Sequence, residues 1–246
     1  MIKAFVFGLI AGLALLLGAI YGLVFKPSKR VSAMIMAFGS GVLISALTFD
    51  LIEEAYNVGG IVPISIGFIA GAVSFVVVDW IIGKRGGDYR KHLKAHRSAF
   101  KGEANSLAIT FGALLDGIPE SVMIGASLLT GLSAGILMFL AVFLSNIPEG
   151  ISGVSGLSAA KKSKSFTMII WVLIALVCGV SSLLGYKYLA GASGTVIAIT
   201  QAVAAGSILA MITDTMIPEA HEEGGAFVAL STVVGFLAAF IISKLA

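Results

Sequence analysis

The chain has 246 residues, of which 58% are hydrophobic and only 12% charged, with a mean hydropathy of +1.05. An ordinary soluble domain carries roughly 25% charged residues, so this composition excludes a water-soluble globule and reads as an all-α polytopic membrane protein. The 30 glycines favour closely packed helices over a barrel, and the single cysteine, Cys178, excludes an intrachain disulfide framework or a cysteine-rich metal site. The net charge of +3 matters less than where the charges sit.

A membrane-crossing helix needs about 20 mostly apolar residues, and eight stretches qualify. The first, 2–25, begins like a signal peptide but stays apolar to Phe25, longer than the core of such a leader. It is read as a retained span, with small-residue packing contacts in GLIAG and GAIYG. Lys26, Lys29 and Arg30 follow it. The second, 33–56, carries Asp50, Glu53 and Glu54 toward its end, and Asp50 and Glu54 share a helix face. The third, 61–83, has Asp79 near its end, placed to pair with Lys84 or Arg85. Next comes a basic stretch holding Lys84, Arg85, Arg90, Lys91, Lys94, Arg97 and Lys101. His92 and His96 in this stretch are four apart, a spacing that clips a metal if it is helical and is otherwise plain solvated surface.

Segments four (105–129) and five (132–159) hold the charges that a bilayer tolerates least. Lys161, Lys162 and Lys164 follow, then segments six (166–189), seven (194–220) and eight (225–244). Segment seven carries Asp214, Glu219, His221, Glu222 and Glu223 toward its end. Thirteen of the sixteen Lys and Arg fall in three loops that share one side if eight spans alternate. That side is cytoplasmic by the positive-inside rule, which leaves both termini outside.

Ionisable groups at membrane depth mark functional sites by default. In segment four, Asp116 and Glu120 lie on one helix face, and Pro119 between them frees the carbonyl of residue 115. In segment five, Ser145, Asn146 and Glu149 surround Pro148. Two such helices face to face present three carboxylates and an amide, which cannot all stay charged unless a cation joins them. An oxygen-rich set of this kind suits hard or borderline divalent cations. Asp50 and Glu54 on one side, and Asp214, Glu219 and His221 on the other, read as acidic vestibules that concentrate cations. Met123, Met211 and Met216 read as packing.

An internal repeat runs through the chain. GVLISALTFDLIEEAYNVGG, Gly41 to Gly60, aligns without a gap on GSILAMITDTMIPEAHEEGG, Gly206 to Gly225, with seven identities at an offset of 165. With eight alternating spans the two copies cross in opposite directions, the inverted repeat of many secondary transporters. The expected arrangement is 3+2+3. Residues 1–83 form the first three-helix repeat and 84–104 a basic cytoplasmic loop. Residues 105–160 form a central pair and 166–246 the second three-helix repeat.

DGIPES and SNIPEG in consecutive spans, with MIPEAHEEGG later, resemble the ZIP (Zrt/Irt-like) metal transporters over nearly the whole chain. The resemblance implies eight spans, outside termini and a transport site between segments four and five. It places Asp116, Glu120, Ser145, Asn146 and Glu149 at the positions of that site. The family's fourth-span motif reads His-Asn-x-Pro-Glu-Gly. Here Asp116, Gly117 and Ser121 stand at the histidine, asparagine and final glycine, and Ser145 fills a place often held by histidine or glutamine. No histidine remains at the centre. An all-oxygen site leans toward manganese, iron(II) or a broad divalent range that includes zinc and cadmium.

The function expected is secondary transport of divalent metal ions across a prokaryotic cytoplasmic membrane. The metal is substrate, no cofactor is implied, and nothing points to nucleic acid. No P-loop is present to couple ATP. An intramembrane hydrolase would need a motif such as HExxH or a serine-lysine dyad, and neither is visible, so the chain is not read as an enzyme. A cation/proton exchanger working in export, and a metal sensor that binds without transport, are the alternatives. Small-residue faces admit a homodimer.

Overall fold

Serines placed just before apolar runs decide where three of the helices begin. Ser28, Ser163 and Ser193 are extended in backbone, and each hydroxyl accepts from the backbone N–H three residues on, the usual N-cap bond. The structure is a computed structural model that describes residues 1–25, 27–82, 102–159 and 162–245.

Eight helices there are long and apolar enough to cross a membrane. They are α1 (Ile2–Phe25), α2 (Lys29–Gly59), α3 (Ile61–Ile82), α4 (Gly102–Thr130), α5 (Leu132–Ala159), α6 (Lys164–Leu189), α7 (Gly194–Gly224) and α8 (Phe227–Leu245). No strand occurs among the described residues. The protein is therefore an all-α polytopic membrane protein of eight spans. Each apolar segment read from the sequence is one of these helices, and α2, α4, α6 and α7 extend a few residues beyond the apolar run. Hydropathy marks what must sit in oil, whereas a helix runs on to its cap. His92, His96 and the basic stretch from Lys84 to Lys101 lie outside the described residues.

α2 and α7 are not uniform. Each contains a π-helical stretch, Leu47–Ile52 in α2 and Ile212–Met216 in α7. Each ends at a glycine in the left-handed region, Gly60 (φ 74°) and Gly225 (φ 70°), which a residue without Cβ adopts freely. All of these features repeat at the offset of 165. So do the N-caps, Ser28 and Ser193, and the hydroxyl bonds Thr48 to Ile44 O (2.8 Å) and Thr213 to Leu209 O (2.9 Å).

The helices pack in two groups. α1, α4, α5 and α6 form one, with α1 against α5 and α6, and α4 against both as well. In the other, α2 packs on α8 and α3 on α7. The groups meet where α2 crosses α5 and α7 approaches α4. Helix pairs thus form across the expected repeat units, α1 with α6 and α2 with α8. The outer faces of α3 and α8 present residues such as Ile66, Ile69, Val73, Leu230, Val233 and Leu237. Apolar outer faces of this kind mark contact with lipid or with another protein surface.

Candidate metal site

α4 and α5 remain helical through Pro119 and Pro148. Proline has no N–H, so the carbonyl one turn earlier loses its helical donor. Around these points the described polar side chains are buried: Asp116 is 4% exposed, Glu120 1%, Ser145 2% and Asn146 1%. Glu149 is half-buried. Glu120 lies within electrostatic reach of both Glu149 and Asp116, so α4 and α5 bring the three carboxylates together.

The other two predicted site residues are turned partly elsewhere. Asn146 donates from Nδ2 to the carbonyl of Ala11 on α1 at 2.9 Å, and its Oδ1 is buried with no hydrogen-bond partner among the described residues. Glu120 Oε2 is buried in the same condition. Ser145 donates to Val142 O at 3.0 Å within α5 and packs near Gly39 of α2. No group of three or more His, Cys, Asp and Glu among the described residues closes tightly enough to hold an ion. The carboxylates are gathered but do not converge on a point.

Two further residues, given no site role from the sequence, stand beside polar groups. Cys178 of α6 is buried with its thiol 3.7 Å from the carbonyl of Gly117, next to Ser121 and within electrostatic reach of Glu120 and Glu149. Gln201 of α7 is fully buried and donates to Glu54 Oε2 at 3.3 Å. A lone amide in an otherwise apolar run was the available signal for Gln201.

Glu54 is half-buried against Gln201. Asp214 and His221 are exposed and Glu219 is half-buried near the end of α7, where Glu223 pairs with Lys29 at 2.5 Å. The Asp50 side chain is outside the described ones, although its backbone lies in the π stretch of α2. A pairing of Asp79 with Lys84 or Arg85 likewise involves residues outside the description.

No family model matches the chain. The chain is similar to the zinc transporter ZupT of Enterobacter sp. (strain 638), with 30% identity over 226 residues that cover 87% of this chain and 85% of that protein. This chain belongs to the ZIP family of metal transporters. ZIP membership points to a transporter rather than an enzyme, and to a multi-pass membrane protein with metal as substrate.

Proposed function

We propose that the chain moves divalent metal ions across the cytoplasmic membrane of a prokaryote through a site between α4 and α5. Asp116, Glu120, Asn146 and Glu149 are the ligands of the moving ion, with Ser145 at its edge. The gathering of three carboxylates on two proline-containing helices carries this reading. In a low-dielectric interior, carboxylates that close need protons or a cation between them. Their present spread suits a carrier, since an arriving ion draws the side chains in and leaves by letting them relax.

One acidic mouth is Asp50 and Glu54 and the other is Asp214, Glu219 and His221. Ions enter at the first and leave at the second, with both termini outside and Lys29, Arg30 and Lys162 in the cytoplasm. The repeated backbone features of α2 and α7 support an inverted repeat, and relative movement of packed helix groups would alternate access. The metal is zinc or a related ion such as manganese, iron(II) or cadmium. The ZupT relative is named for zinc.

The test is uptake into proteoliposomes containing the purified protein, with Mn, Fe(II), Co, Zn and Cd supplied in turn. Saturable flux that Asp116→Ala and Glu149→Ala abolish is the expected result. Metal binding without flux under either direction of gradient would sink the transport reading in favour of a sensor. Flux only outward, driven by protons, would make the protein an exporter.

A further inference from the structure

Gln201 buries an amide at a position where the fold needs none. The side chain is fully buried. Its Nε2 donates to Glu54 Oε2 at 3.3 Å, joining residues 147 apart in the chain. Its Oε1 is buried with no hydrogen-bond partner among the described residues. Burying an amide costs free energy that is recovered only through the bonds it makes. The repeat shows the same position without one. Gly59 lies against Ala198, and Gly224 lies against Ala33. Ala55 packs with Ala202 in one copy, and Ala220 packs with Ala37 in the other. Each of these residues is identical to its counterpart at the offset of 165. In that shared frame Gln201 corresponds to Met36, which is 6% exposed and belongs to the cluster of Ala37 and Ala220. An unbranched apolar side chain of similar length therefore fills the position. Packing does not call for the amide, and the carboxylate it bonds does.

We propose that Gln201 is the positioning residue of the Glu54 mouth: its amide N–H holds the Glu54 carboxylate in one orientation for capture of an arriving divalent cation. This rests on the transport reading above and gives one mouth a device that the other lacks. An ionised carboxylate only accepts, so a fixed donor sets its direction. Glu54 stands beyond the π stretch Leu47–Ile52, in the terminal segment Glu53–Gly59 of α2. The bond ties that segment to the regular part of α7. A ligand held in place before the ion arrives loses less freedom on binding it. Glu219 is the counterpart of Glu54 at the offset of 165. There the place of Gln201 is taken by Met36, whose thioether has no proton to donate. The two mouths share a backbone and a glutamate, and they differ in whether a buried donor sets that glutamate.

The experiment measures the KM and maximal rate of Zn(II) and Mn(II) uptake by the full-length protein in proteoliposomes. The variants are Gln201→Met, which installs the residue type that the other copy accepts, Gln201→Leu as a second replacement, Glu54→Gln, and Gln201→Met combined with Glu54→Gln. The expected result is a KM raised about tenfold in both Gln201 variants, the scale of one charge-assisted bond, with the maximal rate unchanged. Glu54→Gln should raise KM at least as far, and the combined variant should be no worse than Glu54→Gln alone. An amide with a merely structural role would act in the same way whether or not residue 54 carries a carboxylate, and the two effects would then multiply. That multiplication, a KM unmoved in both Gln201 variants, or a change confined to the maximal rate overturns the positioning role and leaves the transport reading standing. A wild type that carries neither metal removes the transport reading, and the positioning role with it.

Discussion

Gly150→Ala should loosen the seam that holds α1 on α5 and should slow metal movement with it. An alanine Cβ at 150 would stand 2.8 Å from the carbonyl carbon of Leu15 and 3.0 Å from its Cα, and nearer still to the carbonyl oxygen. Carbon atoms in contact normally rest at about 3.5–4.0 Å. The obstacle is backbone, so no side chain can swing away, and the helices must part by roughly 1 Å. Gly18 of α1 is pressed in the same way against Ile147, with that carbonyl carbon 3.0 Å from its notional Cβ, so the strain has no easy outlet. Overpacking of this kind costs about 1–3 kcal/mol. For a chain of this length that corresponds to a fall in melting temperature of about 2–10 °C. Glu149 precedes Gly150 and Asn146 bonds Ala11 one turn away, so parting the seam also displaces two proposed ligands. Melting in detergent and uptake in proteoliposomes are the assays. Gly131→Ala is the matched control, because a Cβ there meets nothing within 4 Å. If Gly150→Ala melts and transports like Gly131→Ala, the close α1–α5 contact is not a feature of the working protein.

Asn146→Ala should lower stability by about 1 kcal/mol through loss of the bond to Ala11 O and should weaken metal binding. Asn146→Asp should recover metal binding but not stability, because a carboxylate cannot donate to a carbonyl, and full recovery of both would refute the assigned geometry. Gln201→Leu keeps the volume but removes the donor to Glu54. It should raise the KM for uptake while leaving Cd(II) binding in detergent intact, and a loss of that binding would place Gln201 at the central site instead. Lys29→Ala removes an ion pair whose lysine is 75% exposed. Exposed pairs contribute about 0–1 kcal/mol, so a melting shift of more than about 4 °C would mean the pair closes a larger contact.

The spans were legible because the bilayer imposes one coarse demand, a run of apolar residues, and the chain meets it eight times. The carboxylates of α4 and α5 were legible for the converse reason, since Asp116 and Glu120 violate that demand conspicuously. Side-chain direction was not legible. Ser145 and Asn146 are neighbours in sequence, but one turns into its own helix and toward α2 while the other reaches α1. Cys178 served in the sequence only to exclude a disulfide framework, because its nearness to Gly117 depends on how α6 packs against α4.

The repeat has more to say in the fold than in the letters. Seven identities in twenty positions connect Gly41–Gly60 to Gly206–Gly225, but the structural equivalences run from Ser28 and Ser193 to Gly60 and Gly225. What recurs is backbone: a cap, a π stretch, a threonine bonding the turn before it, and a left-handed glycine. Threonine hydroxyls that bond back to the preceding turn bend helices, and they answer carbonyls that an irregular turn exposes within a membrane. The identity of Thr48 and Thr213 was thus a trace of the π stretches that hydropathy could not reveal. The charges do not follow the same rule. At the offset of 165 Asp50 faces Thr215 and Asp214 faces Phe49, although both aspartates lie within the π stretches. A duplicated backbone with unmatched acids is what an ion path requires if its two mouths do different work. Under the proposed transport reading, the break in each helix would be the shared element, and the unmatched acids would distinguish the two ends.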